Sequence, residues 1–480
     1  MGVAPSQQTT PTKSIRAELE ACLALQRAAC SAHPIPTHEE RKADLRSLQR
    51  FVRDNKEAIV MAINADYGNR SRHETLLAEI FPAIDGVEHA LRHLKKWMRP
   101  QRRAVDPRNF PGARNRVIPQ PLGVVGVIVP WNFPINLTIL PLIHILAAGN
   151  RAMVKLSENS RHLAKLLIDT LPAYFPREKI AIFDEVGGVG GEFSQLPFDH
   201  LLFSGSSQTG RLVMAAAAKN LCPVTLELGG KSPALLCDDY PLRKAAERIL
   251  FAKYFNAGQI CTTVDYLWVP RARLDEFVAL AREIVSKRYP QISSVDFTSV
   301  IDDRAFTRLT TALDAAEAGG ATLVQLVPGE KWNAATRKIA PHIVLDAPDD
   351  SELITREIFG PILPIRSYGN LQEAIDYINA HPRPLAFYPF SNDSARIRML
   401  LDRVMSGGVT VNDAMLHVGQ QDIPFGGVGE SGMGHYHGYE GFVTFSKMRP
   451  VFYQASFSPL KFLHPPYGKL ATAVLNFLTK

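Results

Sequence analysis

Between Gly123 and Leu226 the chain alternates short runs that are apolar at both odd and even positions with longer amphipathic stretches. The runs are Gly123–Val129, Ala152–Lys155, Lys179–Phe183, His200–Phe203 and Pro223–Leu226; Ile135–Ala148, Arg161–Leu171 and Arg211–Lys219 carry helical spacing. A strand that is apolar on both faces must be covered on both, and successive parallel strands need a helix to return the chain, so the pattern predicts a parallel sheet sandwiched by helices. The first hundred residues read as helices. Thr37 and Glu40 form a capping box ahead of an amphipathic segment that runs to Tyr67-Gly68, and Leu76, Ile80, Ile84, Val87, Leu91 and Leu94 recur at spacings of three and four. A Pro-, Arg- and Gly-rich stretch over 100–121 breaks this periodicity, and the alternation resumes after Cys261 and lasts to Gly426. At 480 residues with 46% hydrophobic content, the chain is long enough for about three domains.

Such a sheet binds ligands at the carboxyl ends of its strands, where the strand-to-helix turns lie. Phe203-Ser-Gly205-Ser206-Ser-Gln-Thr-Gly210 is the candidate phosphate turn: Gly205 turns tightly, Ser206 and the free N–H groups of the next helix face an anion, and Gly210 allows close packing. It is neither a Walker A loop nor G-x-G-x-x-G. Lys155-Leu-Ser-Glu158 closes another strand and offers an ammonium and a carboxylate to a ribose. A carboxylate there accepts from a 2′-hydroxyl and repels a 2′-phosphate, which favours NAD over NADP.

Composition removes several function classes. Five scattered Cys without a CxxC pair argue against a disulfide framework or a zinc site, and the His residues lack ligand spacing. The net charge of +7 is modest, and the basic run from Lys95 to Arg103 ends a helical pattern, where cations complement the helix dipole; no nucleic-acid motif accompanies it. There is no signal core and no long apolar run, which predicts a cytoplasmic protein without a membrane span. Met1–Ser6 formally matches the myristoylation pattern, a weak match. Leu470–Leu478 is a short apolar helix candidate for docking on its own protomer or a partner, with an interfacial membrane contact as the alternative.

Three distant residues carry chemistry together. Cys261 lies in Gly258-Gln-Ile-Cys261-Thr-Thr, a polar bend ahead of the strand-like Asp265–Val269, whereas Cys222 and Cys237 sit in apolar runs and read as packing residues. Glu227 is 34 positions upstream in Glu227-Leu-Gly-Gly-Lys, and Asn132 further upstream in Pro130-Trp-Asn-Phe-Pro. A thiolate adds to a carbonyl, an amide NH₂ stabilises the resulting oxyanion, and a carboxylate activates water against a thioester. That set points to aldehyde oxidation.

In order along the chain, Pro130-Trp-Asn132-Phe-Pro, Lys155-x-Ser-Glu158, Phe203-x-Gly205-Ser, Glu227-Leu-Gly-Gly-Lys, Gly258-Gln-x-Cys261, Glu357-x-Phe359-Gly-Pro and Pro424-Phe-Gly-Gly427 resemble the motifs of the aldehyde dehydrogenase superfamily from about residue 14 to 450. Asp265-Tyr266, Val213–Lys219 and Ser431–Phe442 make the chain similar to its class 3 branch, and within it to bacterial coniferyl aldehyde dehydrogenases. The resemblance implies Cys261 as nucleophile, Glu227 as general base, and Asn132 with the Cys261 N–H as oxyanion donors. Lys155 and Glu158 would hold the adenosine ribose, Gly205 and Ser206 lie by the pyrophosphate, and Glu357, Phe359 and Trp131 attend the nicotinamide end of NAD; some class 3 relatives also accept NADP. Leu156 and Ser204 stand where the family has Pro and Thr.

The implied architecture is α/β: a Rossmann-like cofactor domain (1–103 and 122–226), a catalytic domain (227–428), a bridging β-sheet (104–121 and 447–454) that makes a homodimer, and a tail (455–480). Phe133, Tyr254, Phe255, His417 and the aromatics from His435 to Phe442 are candidates for an aromatic-lined substrate tunnel suited to a phenylpropenal or benzaldehyde. The alternatives are a medium- or long-chain aliphatic aldehyde, a coenzyme A-acylating enzyme, and a non-catalytic protein of the same fold. The glycine-rich Gly427–Gly434 marks a long loop that either turns a corner or lines a substrate entrance.

Overall fold

The structure is a computed structural model that describes residues 15–479. The Met1–Ser6 pattern lies outside the described residues. Five strands form the predicted parallel sheet: Val124–Ile128, Arg151–Lys155, Ile180–Phe183, His200–Gly205 and Val224–Leu228. Val124–Ile128 lies inside it, with the second and third strands on one side and the fourth and fifth on the other, so the order reverses beside the first strand. All five residues of Val124–Ile128 are buried, and Gly126 has no room for a side chain, since a Cβ would lie 2.6 Å from the Phe198 ring. The helix Asn136–Ala148 is buried at every position from Thr138 onward and stops at Gly149, whose φ of +91° suits glycine.

The N-terminal helices pack over this sheet. The capping box at Thr37 and Glu40 forms, but the segment that follows is two helices, His38–Asp54 and Lys56–Tyr67, not one. Asn55 breaks it: its backbone and side-chain N–H groups both turn back to the Phe51 carbonyl, the local competition that makes Asn a poor helix-interior residue.

A second sheet of seven strands holds Pro233–Leu236, Tyr266–Pro270, His342–Leu345, Ile362–Tyr368, Ala386–Phe390 and Gly408–Val409 in parallel, with Thr322–Gln325 antiparallel at one edge. The strand Val224–Leu228 runs through the domain boundary expected at 226/227, so Glu227 belongs to the first sheet and the link to the second is only Gly229–Ser232. The third sheet pairs Arg114–Pro121 with Ser446–Tyr453 over eight residues, and adds Gln101–Arg103, which falls just outside the expected 104–121. Pro119 and Pro121 lie beyond the reach of that short strand, which pairs only with 115–117, so their missing N–H groups break no ladder on that side.

Candidate active site

The helix Leu242–Tyr254 delivers the chain to Cys261 through a strained turn: Asn256, Ala257 and Gly258 take φ of +51°, +50° and +72°, costing about 1–2 kcal/mol for each non-glycine residue. Only glycine fits at 258, because a Cβ there would lie 2.3 Å from the Gly360 carbonyl oxygen. The turn leading to Cys261 therefore rests backbone to backbone on the Glu357–Gly360 turn. Gln259 pins it from inside, donating to the Asn256 and Ser299 carbonyls at 3.0 Å each and accepting from the Ile301 N–H at 2.9 Å. Cys261 keeps partial exposure while Ile260 and Thr262 on either side are buried. Burial pushes its thiol up to about 12, the Glu357 and Glu227 charges add to the rise, and its own N–H and that of Thr262 work against it. Cys222 and Cys237 are buried packing residues.

Glu227 stands near the end of its strand, buried, and neither carboxylate oxygen has a hydrogen-bond partner. Burial alone holds its pKa well above the ordinary carboxyl value. Leaving such a group unsatisfied costs about 1–3 kcal/mol, so its presence calls for a reason other than stability. The glycine-rich loop does not simply line an entrance: Gly432-Met433 adds as an antiparallel edge strand opposite Glu227 and Leu226. Gly432 takes φ +154° with its Cα against the Leu226 carbonyl, and Gly427 lies on the Ser431 carbonyl, approaches that a side chain would block.

Asn132 is buried, and its side-chain NH₂ donates to the Gln259 carbonyl at 3.3 Å, leaving its second N–H available. A bracket absent from the sequence reading fixes its backbone. Arg70 donates to the Asn132 carbonyl at 2.7 Å and Tyr67 at 3.0 Å, while Arg70 pairs with Glu79 at 3.2 Å, both side chains fully buried. Glu79 accepts from the Ile135 and Asn136 N–H groups at 2.8 and 2.9 Å, and Glu74 accepts from the Asn256 N–H at 2.9 Å. The only sequence signal for this bracket was charge on what would otherwise read as a plain helical face.

On the cofactor side Glu357 faces Gly229, where a Cβ would lie 2.0 Å from its carboxylate. Its Oε1 is buried without a partner, and burial, with Asp265 next, pushes its pKa up to about 8. Lys231 and Asp265, also missed in the sequence, hold this turn: they pair with each other, Lys231 donates to the Leu353 and Arg356 carbonyls at 3.0 Å, and Asp265 accepts from the Ile358 N–H at 2.9 Å. Phe359, at φ +49°, sets its ring edge-on to Trp131 at 5.4 Å. Ser206 caps the helix Ser207–Ala218, accepting from the Thr209 N–H at 3.2 Å. Gly205 is not a left-handed turn residue; it is needed because a Cβ would lie 2.6 Å from the Phe203 ring. A cleft of about 270 Å³ between the two sheets is lined by Ser207, Gly229, Gly230, Lys231 and Glu357 among others. An unpartnered carboxylate oxygen facing a glycine-lined cleft beside a capped helix start fits a dinucleotide: the carboxylate accepts from ribose hydroxyls and the helix start receives the pyrophosphate.

Lys155 pairs with Glu185, and Glu158 is exposed. Of the tunnel candidates, Tyr254 is a core residue, its hydroxyl donating to the His342 carbonyl at 3.1 Å. Tyr436 and Phe442 belong to the core beside the first sheet. Phe133 and Phe255 cluster with Ile260, next to Cys261.

The model of the aldehyde dehydrogenase family matches residues 3–451. The chain is 48% identical over 453 residues to a protein of Pseudomonas aeruginosa named "Probable coniferyl aldehyde dehydrogenase", covering 94% of each chain. Its structure resembles Staphylococcus aureus AldH in a substrate-bound state, with TM-score 0.90 and 31% identity over 96% of this chain and 99% of that one. It also resembles a Mycobacterium tuberculosis aldehyde dehydrogenase complexed with NAD+, with TM-score 0.81 and 25% identity over 92% and 90%.

Proposed function

The chain belongs to the aldehyde dehydrogenase family, and from that premise we propose how its own residues carry the reaction, on which aldehydes, and in what assembly. The reaction is oxidation of an aldehyde to the carboxylic acid with reduction of NAD(P)+. The Cys261 thiolate adds to the aldehyde carbon, and the oxyanion of the thiohemiacetal is held by the Cys261 N–H and the second N–H of the Asn132 amide. The oxidised nicotinamide supplies the hydride acceptor when bound. Lys155, Glu158, Gly205, Ser206, Glu357, Phe359 and Trp131 bind and orient it. Collapse of the oxyanion leaves a Cys261 thioester, and Glu227 takes a proton from the water that cleaves it. The raised pKa of Glu227 makes it a stronger base once ionised.

The observation that carries this assignment is the buried, wholly unpartnered Glu227 carboxyl acting electrostatically on the half-buried Cys261. Cys261→Ala is expected to abolish reduction of the cofactor. Glu227→Gln is expected to give one burst of reduced cofactor and then stall, because the thioester is no longer hydrolysed; acid release needs no added coenzyme A in the unaltered protein. Full steady-state turnover in either variant removes the role from that residue.

The substrate proposed is an aryl or phenylpropenyl aldehyde of the coniferaldehyde type. It is supported by the relative named for that aldehyde and by the apolar flank of Phe133, Phe255 and Ile260 beside the nucleophile. A kcat/KM panel should rank coniferaldehyde and benzaldehyde above hexanal and succinic semialdehyde; the reverse order overturns it. The assembly proposed is a homodimer. Ser446–Tyr453 is an edge strand with Phe452 and Tyr453 exposed, and an unpaired edge with exposed aromatics calls for a cover. The tail beyond it exposes Phe457, Phe462, Leu470 and Phe477 as well. No helix of the described residues is long and apolar enough to cross a membrane.

A further inference from the structure

At the exit of the second strand of the first sheet, the Lys155 ammonium is already engaged. It pairs with Glu185, which follows the end of the neighbouring strand Ile180–Phe183, and the two side chains are only 7% and 18% exposed. Glu185 is also held by the Gly190 N–H, 3.0 Å from Oε2 and 3.2 Å from Oε1. Gly190 lies close against the pair: a Cβ there would be 2.9 Å from Glu185 Oε2 and 3.3 Å from Lys155 Nζ. Glu158, the second carboxylate at this strand exit, is exposed and accepts from the Ser157 hydroxyl at 3.0 Å. Arg161 turns its guanidinium onto the Glu158 carbonyl at 3.2 Å.

In a parallel sheet of this order, the exit of the strand next to the first is where the 2′ position of the adenosine ribose is met. Here that position faces one ammonium and two carboxylates, and the ammonium is neutralised by the carboxylate that is pinned in place. We propose that Glu185 is a second reader of the cofactor's 2′ position: it accepts from a ribose hydroxyl, repels a 2′-phosphate, and so makes this chain select NAD+ over NADP+. The proposal rests on the ribose site assigned above to Lys155 and Glu158, and adds to it a residue and a direction of selectivity. A free Lys155 would be an attractive partner for a phosphate dianion; Glu185 removes that partner and adds a like charge.

The test separates binding from turnover. The unaltered protein, Glu185→Gln and Glu158→Gln are titrated by calorimetry with 5′-AMP and with 2′,5′-ADP, which lack the nicotinamide, and kcat/KM is measured with NAD+ and NADP+. Gln keeps one oxygen to accept from the Gly190 N–H, replaces the other with an NH₂ donor and removes the negative charge. The unaltered protein should bind 5′-AMP more tightly than 2′,5′-ADP. In Glu185→Gln that preference should shrink about tenfold, with the kcat/KM ratio moving the same way. Equal binding of the two fragments by the unaltered protein overturns the proposal without any variant. A ratio that moves in Glu158→Gln but stays within about twofold in Glu185→Gln leaves Glu185 as a structural partner of Lys155 and overturns it too. If Lys155→Met binds 5′-AMP as the unaltered protein does, the ribose does not sit here, and both the site and the proposal fall.

Discussion

A thiol with a pKa raised to about 12 is a poor nucleophile at neutral pH, and the causes of the rise are named: burial first, then the Glu357 and Glu227 charges. The thiolate fraction of the free protein should therefore climb about tenfold per pH unit between pH 7 and 9. Inactivation by iodoacetamide reports it directly, and a plateau below pH 8 would mean that the thiol ionises far more readily than its surroundings dictate. The sign of the Glu357 contribution is also open to test. Glu357, itself raised to about 8, is mostly charged at pH 9, so Glu357→Gln removes a negative neighbour, lowers the thiol pKa and should speed alkylation at that pH. Slower alkylation in this variant would contradict the electrostatics.

Among the elements, the helical region before the first sheet does more than cover it. Tyr67, Arg70, Glu74 and Glu79 reach two separate turns, the one carrying Asn132 and the one leading to Cys261, and join them through the Asn132 carbonyl, the Asn256 N–H and the start of the helix Asn136–Ala148. Removing one partner of a buried ion pair leaves the other charge stranded, at about 3–5 kcal/mol, so Arg70→Met should lose that much in denaturant unfolding, and kcat should fall with it. The double variant Arg70→Met with Glu79→Met distinguishes two roles. If the pair only neutralised itself, the apolar double variant should recover stability. Because Glu79 also accepts from the buried Ile135 N–H and the part-buried Asn136 N–H, the double variant should remain destabilised, the stranded Ile135 N–H alone costing about 1–3 kcal/mol.

For the whole molecule, the three-stranded sheet built from Gln101–Arg103, Arg114–Pro121 and Ser446–Tyr453 joins segments more than three hundred residues apart and leaves one long edge open. Light scattering during size exclusion should give twice the mass of the chain at micromolar concentration, and a lysine introduced at Phe452 should move the population towards monomer. A monomer in the unaltered protein would leave the exposed aromatics of strand and tail without their proposed cover.

How much was legible follows from what each signal depends on. The parallel strands of the first sheet and several helix ends were legible because apolar periodicity and capping are local: Thr37 with Glu40, Gly149 after Ala148, and the doubly apolar Val124–Ile128 each declare themselves within a few residues; the helix Ser207–Ala218 starts four residues before the Arg211 read from its spacing. Cys261, Glu227 and Asn132 could be put forward as a reacting set because a thiol, a carboxylate and an amide complement one another chemically, which residue type alone declares. Beyond the Arg70–Glu79 bracket and the Lys231–Asp265 pair, three further features were not legible. The break at Asn55 depends on one side chain turning back to Phe51, Tyr254 could not be told from a pocket residue without its His342 partner, and the pairing of Lys155 with Glu185 depends on two adjacent strands ending level. Sequence alone determined the class of fold and put forward the groups proposed to react, because hydrophobic period and functional-group identity are properties of the chain itself. Tertiary structure decided which charges meet, which stay unpaired and how a buried site holds its turns, because electrostatic energy and hydrogen bonding depend on distances between residues that only folding brings together.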